Sequence, residues 1–225
     1  MHMTDEEKSH LRAVYNALPK NRLQPYLEEC GHNPFAALTL YAWNSCMSGA
    51  LFETLGHFEI LLRNLLDRTL TERHGFKKRG GDWLDDRHGE FTPSASKAIL
   101  GATSRAQATA AAGGLPDRGR IIAELNLSFW RRLLDVRYER IHGSAVMRQV
   151  PALKRHTNDD MANLRQLVEP LYSLRNRIAH HEPVWSLAHI ARRDDCFRLI
   201  GLMDADAETW VRVQCRVGEV AAARP

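Results

Sequence analysis

Apolar positions along this chain recur at intervals of three and four residues, the period of a helix with one buried face, and no run alternates with the period of two that marks a strand. The longest such pattern runs from residue 35 to about residue 70. Leu51, Leu55, Phe58, Leu62, Leu65 and Leu66 form one stripe, which Thr69 and Leu70 extend. Asn33-Pro34 supplies its start: a side-chain acceptor to cap the first turn, then a proline where an amide donor is not missed. Gly49 or Gly56 is expected to bend or interrupt this run, and His74-Gly75 to end it. A first helix over residues 5–17 is closed by Pro19. Residues 76–89 read as a polar loop anchored by Trp83, and residues 93–112 as an Ala-rich stretch, either helix or excursion, ended by Gly113-Gly114 and Pro116. Residues 120–124 and 128–140 predict helices flanking a bend at Asn126, and Pro151 closes a further short segment. Asn158-Asp159 opens a helix with Leu164, Leu167, Val168, Leu171 and Leu174 on one face. Pro170 is expected to kink or split it, and Glu182, preceding Pro183, to end it. A last helix over about 205–222 would bury Trp210, Val213, Val217 and Val220. The pattern is all-α, a single domain over residues 1–225 with a loop-rich insertion at 76–118.

Composition narrows the class without choosing a function. A chain of 225 residues can bury a sizeable core, and 44% hydrophobic with 26% charged residues is ordinary for a folded domain. No apolar run reaches the roughly 18–20 residues of a membrane span, and Met1 to Lys8 is polar and acidic rather than a secretory leader. A cytoplasmic location with no membrane partner is therefore expected. The net charge of +4 and pI near 9.0 favour a polyanionic partner only weakly, because that charge is dilute. Cys30, Cys46, Cys196 and Cys215 are widely spaced with no CxxC pair, which argues against a zinc ribbon and for reduced thiols, several of them in the core. No metal and no cofactor is expected.

Chemistry concentrates in Leu174-Arg175-Asn176-Arg177-Ile178-Ala179-His180-His181-Glu182-Pro183. Cleaving RNA without a metal requires a base for the 2′-hydroxyl, an acid for the leaving 5′-oxygen and positive charge on the phosphate. Histidine can do either proton job near neutral pH. Arginine supplies permanent, forked donors to phosphate oxygens, and asparagine a neutral group that orients either partner. Arg175 and His180 are five residues apart, about 140° around an ideal helix, and do not share a face. Arg177 and His181 are four apart and do. A solvated helix end, with Arg and His compensating the carbonyl dipole, accounts for the same residues without any function.

In this segment the chain resembles the HEPN superfamily, whose signature is an arginine, usually followed by a polar residue, then a histidine a short distance on. Arg175-Asn176 followed by His180 has that form. Three further blocks resemble the Abi-like (abortive infection) branch: Leu40-Tyr41-Ala42-Trp43-Asn44, Glu59-Ile60-Leu61-Leu62-Arg63-Asn64 and Glu124-Leu125-Asn126-Leu127-Ser128-Phe129-Trp130. Together they cover roughly residues 20–215. The third block departs from the family pattern, with Asn126-Leu127-Ser128 where Ser-Phe-Gly is expected. The resemblance implies a HEPN-type helical bundle with additional helices that forms a homodimer, so that two signatures face one cleft. It further implies a metal-independent endoribonuclease leaving 2′,3′-cyclic phosphate ends, acting in phage defence or as a toxin. His180 would be the acid/base, Arg175 the phosphate clamp and Asn176 the orienting residue.

Supporting residues follow from position. His181 and Arg177 adjoin the signature. Glu59 and Arg63 can pair across one helix turn, or line the cleft with Asn64 and hold Arg175 or RNA. Trp43 and Asn44 suit either the core or a base-stacking surface. Two alternatives remain: a non-catalytic HEPN module that binds RNA or protein, and a HEPN toxin controlled by a nucleotidyltransferase antitoxin, for which Tyr172 is the obvious acceptor. Neither a HExxH helix, a deaminase box nor a Gly-rich phosphate loop is present, which disfavours metallohydrolase and NTPase chemistry.

Overall fold

A single 43-residue helix, α3 (Pro34–Phe76), is the axis of the fold. At 1.5 Å per residue it is about 65 Å long. The computed structural model describes residues 4–110, 114, 116–150, 152 and 158–225, and among these every regular element is helical. Asn33 caps α3 by accepting from the amides of Phe35 (3.0 Å) and Ala36 (3.2 Å). The whole predicted stripe from Leu51 to Leu70 is buried. Neither Gly49 nor Gly56 interrupts the helix. Each costs about 1 kcal/mol of helix propensity, which the leucines and Phe58 buried on the opposite side outweigh. The helix ends one residue later than expected, at Phe76, in a Schellman motif: Arg79 N–H donates to His74 O, Lys78 N–H to Gly75 O, and Lys78 takes the left-handed conformation.

Helices α1 (Asp5–Ala17) and α2 (Lys20–Glu29) precede this axis, and α2 lays Leu23 and Tyr26 against it. The segment read as an insertion is instead part of the core. Trp83, in a 3-10 turn (Trp83–Asp85), is buried and donates to Asp67 Oδ1 at 2.9 Å. Phe91 follows it into the core, as do Ala95, Ile99, Ala102 and Ala106 of α4 (Pro93–Ala108). From α5 (Arg118–Glu124), Arg118 forks onto Asp67 and reaches Asp82, tying this layer to α3. Gly113 and Pro151, both read as breaks, lie outside the described residues.

The helix expected over 128–140 is broken. Asn126 caps α6 (Leu127–Arg132), and the chain restarts at Asp135 as α7 (Val136–Tyr138), widens into a π-helical turn (Glu139–Gly143) and continues as α8 (Ser144–Arg148). Leu133 and Leu134, in the interruption, are both buried. His142, in the π-turn, is 2% exposed, stacks on Tyr138 at 5.7 Å and has no hydrogen-bond partner on either ring nitrogen. Burial, reinforced by Arg73, pushes its pKa down from 6.5 to about 4. The unfolded chain therefore takes up this proton below about pH 6.5, and the folded chain only near pH 4. The stability gained by keeping His142 neutral is complete above pH 6.5 and is lost as the pH falls from 6.5 to 4, by roughly 3 kcal/mol. Urea unfolding at pH 7 and pH 4 is expected to show this loss in the wild type, and a correspondingly flatter profile in His142→Phe. Parallel profiles would refute the assignment.

Helix α9 (Asn158–Ala179) passes through Pro170 without splitting. Its Val168, Leu171 and Leu174 are buried, while Gln166, whose carbonyl loses the Pro170 donor, is exposed to water. The sequence pattern did not reveal α10 (His189–Met203), in which the charged run Arg192 to Asp195 hides buried Cys196, Phe197, Leu199, Ile200 and Met203. The single helix expected over 205–222 is two, α11 (Ala205–Gln214) and α12 (Val217–Ala222). The break at Cys215-Arg216 turns the apolar face: Val211 and Val217 are buried, whereas Trp210 and Val213 are 55% and 78% exposed. Of the four free cysteines only Cys196 is fully buried. Among the described residues no helix is long and apolar enough to cross a membrane.

Candidate functional site

The end of α9 is built by a second Schellman motif. Glu182 N–H donates to Arg177 O at 2.8 Å, His181 N–H to Ile178 O at 2.9 Å, and His181 occupies the left-handed position with φ 55°. His181 thus does structurally what glycine usually does at this place. Its carbonyl accepts from the Arg22 guanidinium of α2. Arg177 turns back over the same corner, donating to Pro183 O at 2.6 Å, with its Nε 3.7 Å from Glu182. The geometrical pair suggested by helix spacing, Arg177 with His181, is therefore not formed: the guanidinium is used to hold the corner. His180, just past the last helical residue, is exposed and its imidazole has no hydrogen-bond or ion-pair partner.

Buried Asn44 of α3 fixes the chain beyond the corner. Its Oδ1 accepts from the backbone of Val184 (2.7 Å) and Trp185 (3.0 Å). Trp43 is also buried, its Nε1 donating to Val220 O at 2.7 Å and its ring edge-on to His189 at 5.5 Å. Neither is a base-stacking surface. Both belong to the scaffold.

One face of α9 carries the charged group. Arg175 Nε lies 3.7 Å from Glu59 Oε2 of α3, too long for a hydrogen bond. The expected i,i+4 pair of Glu59 with Arg63 is not made, and the Nε atoms of both Arg63 and Arg175 are buried without an acceptor. Asn64, one residue on, is exposed and has no side-chain partner. Asn176 adjoins Tyr172, one turn earlier on the same helix. Hydrogen bonds from Ser128 and Asn176, and the charges of Arg131 and Arg132, hold the Tyr172 phenol below its ordinary pKa against the opposing effect of burial. The Arg131 guanidinium lies over the Tyr172 ring, 5.6 Å from its centroid.

On the other side of the α9 terminus lies a cavity of about 510 Å³, lined by Arg22, Tyr26, Tyr41, Phe52, Ala179 and His181 among others. Burial pushes the Tyr26 phenol up to about 12, so it remains a neutral donor throughout the physiological range. Among the described residues no group of His, Cys, Asp and Glu side chains could hold a metal ion. The arrangement offers an exposed, unpartnered imidazole (His180) and a cation flanked by a carboxylate (Arg175 with Glu59).

Arg175, Asn176 and His180 stand out in the sequence, whereas Ser128 and Arg131, which adjoin Tyr172, do not. Only the approach of α6 to α9 brings them there, although the Ser128 block had been singled out for its departure from the family pattern. No protein-family model matches the chain, and neither a curated protein nor a solved structure was found to match it.

Proposed function

We propose that this chain is a metal-independent endoribonuclease of the HEPN type, an effector of phage defence or a toxin. The observation that carries the reading is the Arg175 guanidinium, 3.7 Å from Glu59 and not hydrogen-bonded to it, on the same helix end as the exposed, unpartnered His180. The Arg175 side chain remains 28% exposed, and a phosphodiester oxygen can accept from the outer edge of its guanidinium. In the reaction the 2′-hydroxyl loses its proton to a general base and its oxygen attacks phosphorus. The bond from phosphorus to the 5′-oxygen breaks, and that oxygen takes a proton. The products are a 2′,3′-cyclic phosphate and a 5′-hydroxyl, with no water consumed. Arg175 neutralises charge on the phosphate, and Glu59 restrains the guanidinium. His180 exchanges the proton.

Arg175 and His180 leave α9 in different directions, so the reading includes a second copy whose signature completes the cleft. The exposed side of α3 suits such a contact. Phe52 and Ile60 are 48% and 46% exposed, Gly56 between them and Gly49 before them have open space beside them, and Phe52 borders the cavity beside His181. Incubating purified protein with end-labelled RNA in EDTA is expected to give fragments with cyclic phosphate ends, at a dimer mass by light scattering. Intact RNA, or cleavage that EDTA abolishes, would refute the reading. The antitoxin-controlled variant rests on one observation, the phenol of Tyr172 held below its ordinary pKa next to Asn176. A nucleotidyl group added there would occupy the signature face.

A further inference from the structure

Beyond Tyr172 the signature face continues into a second concavity, of about 290 Å³, between the start of α4 and α6. Its polar lining is Ser94, Lys97, Asn126, Ser128 and Arg132, with no acidic residue among the lining side chains. The surrounding arginines are neutralised: Arg131 by Glu169 at 2.7 Å, Arg165 by Glu139 at 2.6 Å, Arg105 by Glu124 at 2.7 Å. Arg132 is not. Its guanidinium donates only to the Ser94 hydroxyl, at 2.8 Å, and the exposed Lys97 has no partner at all. Two uncompensated cations thus converge on one hollow. The Ser94 oxygen accepts from Arg132, which leaves its own proton to donate. Asn126 uses its Oδ1 to cap Phe129, at 3.1 Å, which leaves its amide N–H groups to donate as well.

We infer that this hollow binds a backbone phosphate of single-stranded RNA, next along the strand from the phosphate that is cut; the inference rests on the ribonuclease reading. Ser128 links the two places, lining the hollow and lying close to Tyr172, which Asn176 also adjoins. The strand is single because an A-form duplex keeps its 2′-hydroxyls out of line with the neighbouring phosphates, and a splayed strand can enter a concavity between helices. Contacts to phosphate position a strand without reading its bases, so recognition here is independent of sequence.

The test uses a 12-nucleotide 2′-O-methyl RNA, which cannot be cleaved, with affinity measured across a salt series, and a ribodinucleotide as a separate cleavage substrate. The Lys97→Gln/Arg132→Gln double variant is expected to bind the 12-mer roughly tenfold more weakly. Its log–log salt slope should be shallower by about 0.7, the change for one phosphate charge no longer neutralised on a single strand. Dinucleotide cleavage should stay within about twofold of wild type. A charge-matched control, Arg12→Gln/Arg198→Gln, alters two exposed cations elsewhere and should leave the slope unchanged. Wild-type 12-mer binding by the Lys97/Arg132 variant, an equal loss in the control, or equally tight binding of an RNA duplex would each overturn the inference. If the protein binds the 12-mer through these two residues but cuts no RNA, the hollow stands and the nuclease reading falls. If it cuts RNA and the double variant binds normally, the reverse holds. Neither binding nor cleavage by the wild type overturns both.

Discussion

His180→Gln is expected to lower RNA cleavage by about 10²–10⁴-fold while leaving the helical circular dichroism spectrum unchanged, because an amide can hydrogen-bond but cannot exchange a proton at neutral pH. The imidazole is exposed and touches nothing, so its removal should cost almost no stability. Arg175→Ala should give a comparable loss of activity. Its only ion-pair partner, Glu59, is 3.7 Å away in a partly exposed setting, a contact worth little to the fold. His181→Gly is the decisive contrast. A left-handed non-glycine residue is strained by about 1–2 kcal/mol, so glycine should hold or raise the unfolding free energy while keeping a tenth or more of the activity. Single-turnover cleavage of one RNA by all three variants distinguishes the residues. An inactive His181→Gly beside an active His180→Gln would move the proton-transfer role to His181 and refute the site as drawn.

How much of this was legible beforehand depended on whether a feature was local. The stripe of α3 and the Asn33-Pro34 start could be read because period and capping are properties of a few consecutive residues. The same holds for the buried face of α9, Leu164 through Leu174. α10 could not, because Arg192, Arg193, Asp194 and Asp195 interrupt the pattern just where its buried residues begin. The split after Gln214 was hidden for the opposite reason: Trp210, Val213 and Val217 fit a helical period that the turn at Cys215-Arg216 breaks.

The candidate site divides along the same line. The identities of Arg175, Asn176 and His180 were in the sequence, but their partners were not. Glu59 to Arg175 spans two helices, and so does Ser128 to Tyr172. The rival pair that helix spacing allows, Arg177 with His181, is not formed, because spacing ignores what the helix end requires. A helix end leaves carbonyls that need donors, and Arg177 and Arg22 supply them at Pro183 and His181. Asn176, expected to orient substrate, adjoins Tyr172, and Ser128 on the other side of that phenol lines the basic hollow.

Asn44→Ala is expected to be the most destabilising of the polar substitutions near the site. Asn44 is 5% exposed, and its single oxygen accepts from two consecutive backbone amides, Val184 and Trp185, of which Val184 is fully buried. Alanine leaves both donors without an acceptor in a place water reaches poorly. At about 1–3 kcal/mol for each orphaned donor the loss is roughly 2–5 kcal/mol. For a chain of this size that lowers the melting temperature by about 5–15 °C. A base-stacking or RNA-contacting role for Asn44 would give another pattern, with normal melting and weakened RNA binding. The corner that Asn44 holds begins four residues after His180, so its loosening should also reduce cleavage, even at temperatures where the variant remains folded. Thermal unfolding followed by circular dichroism, with cleavage assayed at 15 °C, separates the two roles. An unchanged melting temperature would show that the Val184 and Trp185 amides do not depend on α3. The path from the centre of α3 to the signature would then have to run through Arg22 and Arg177 alone.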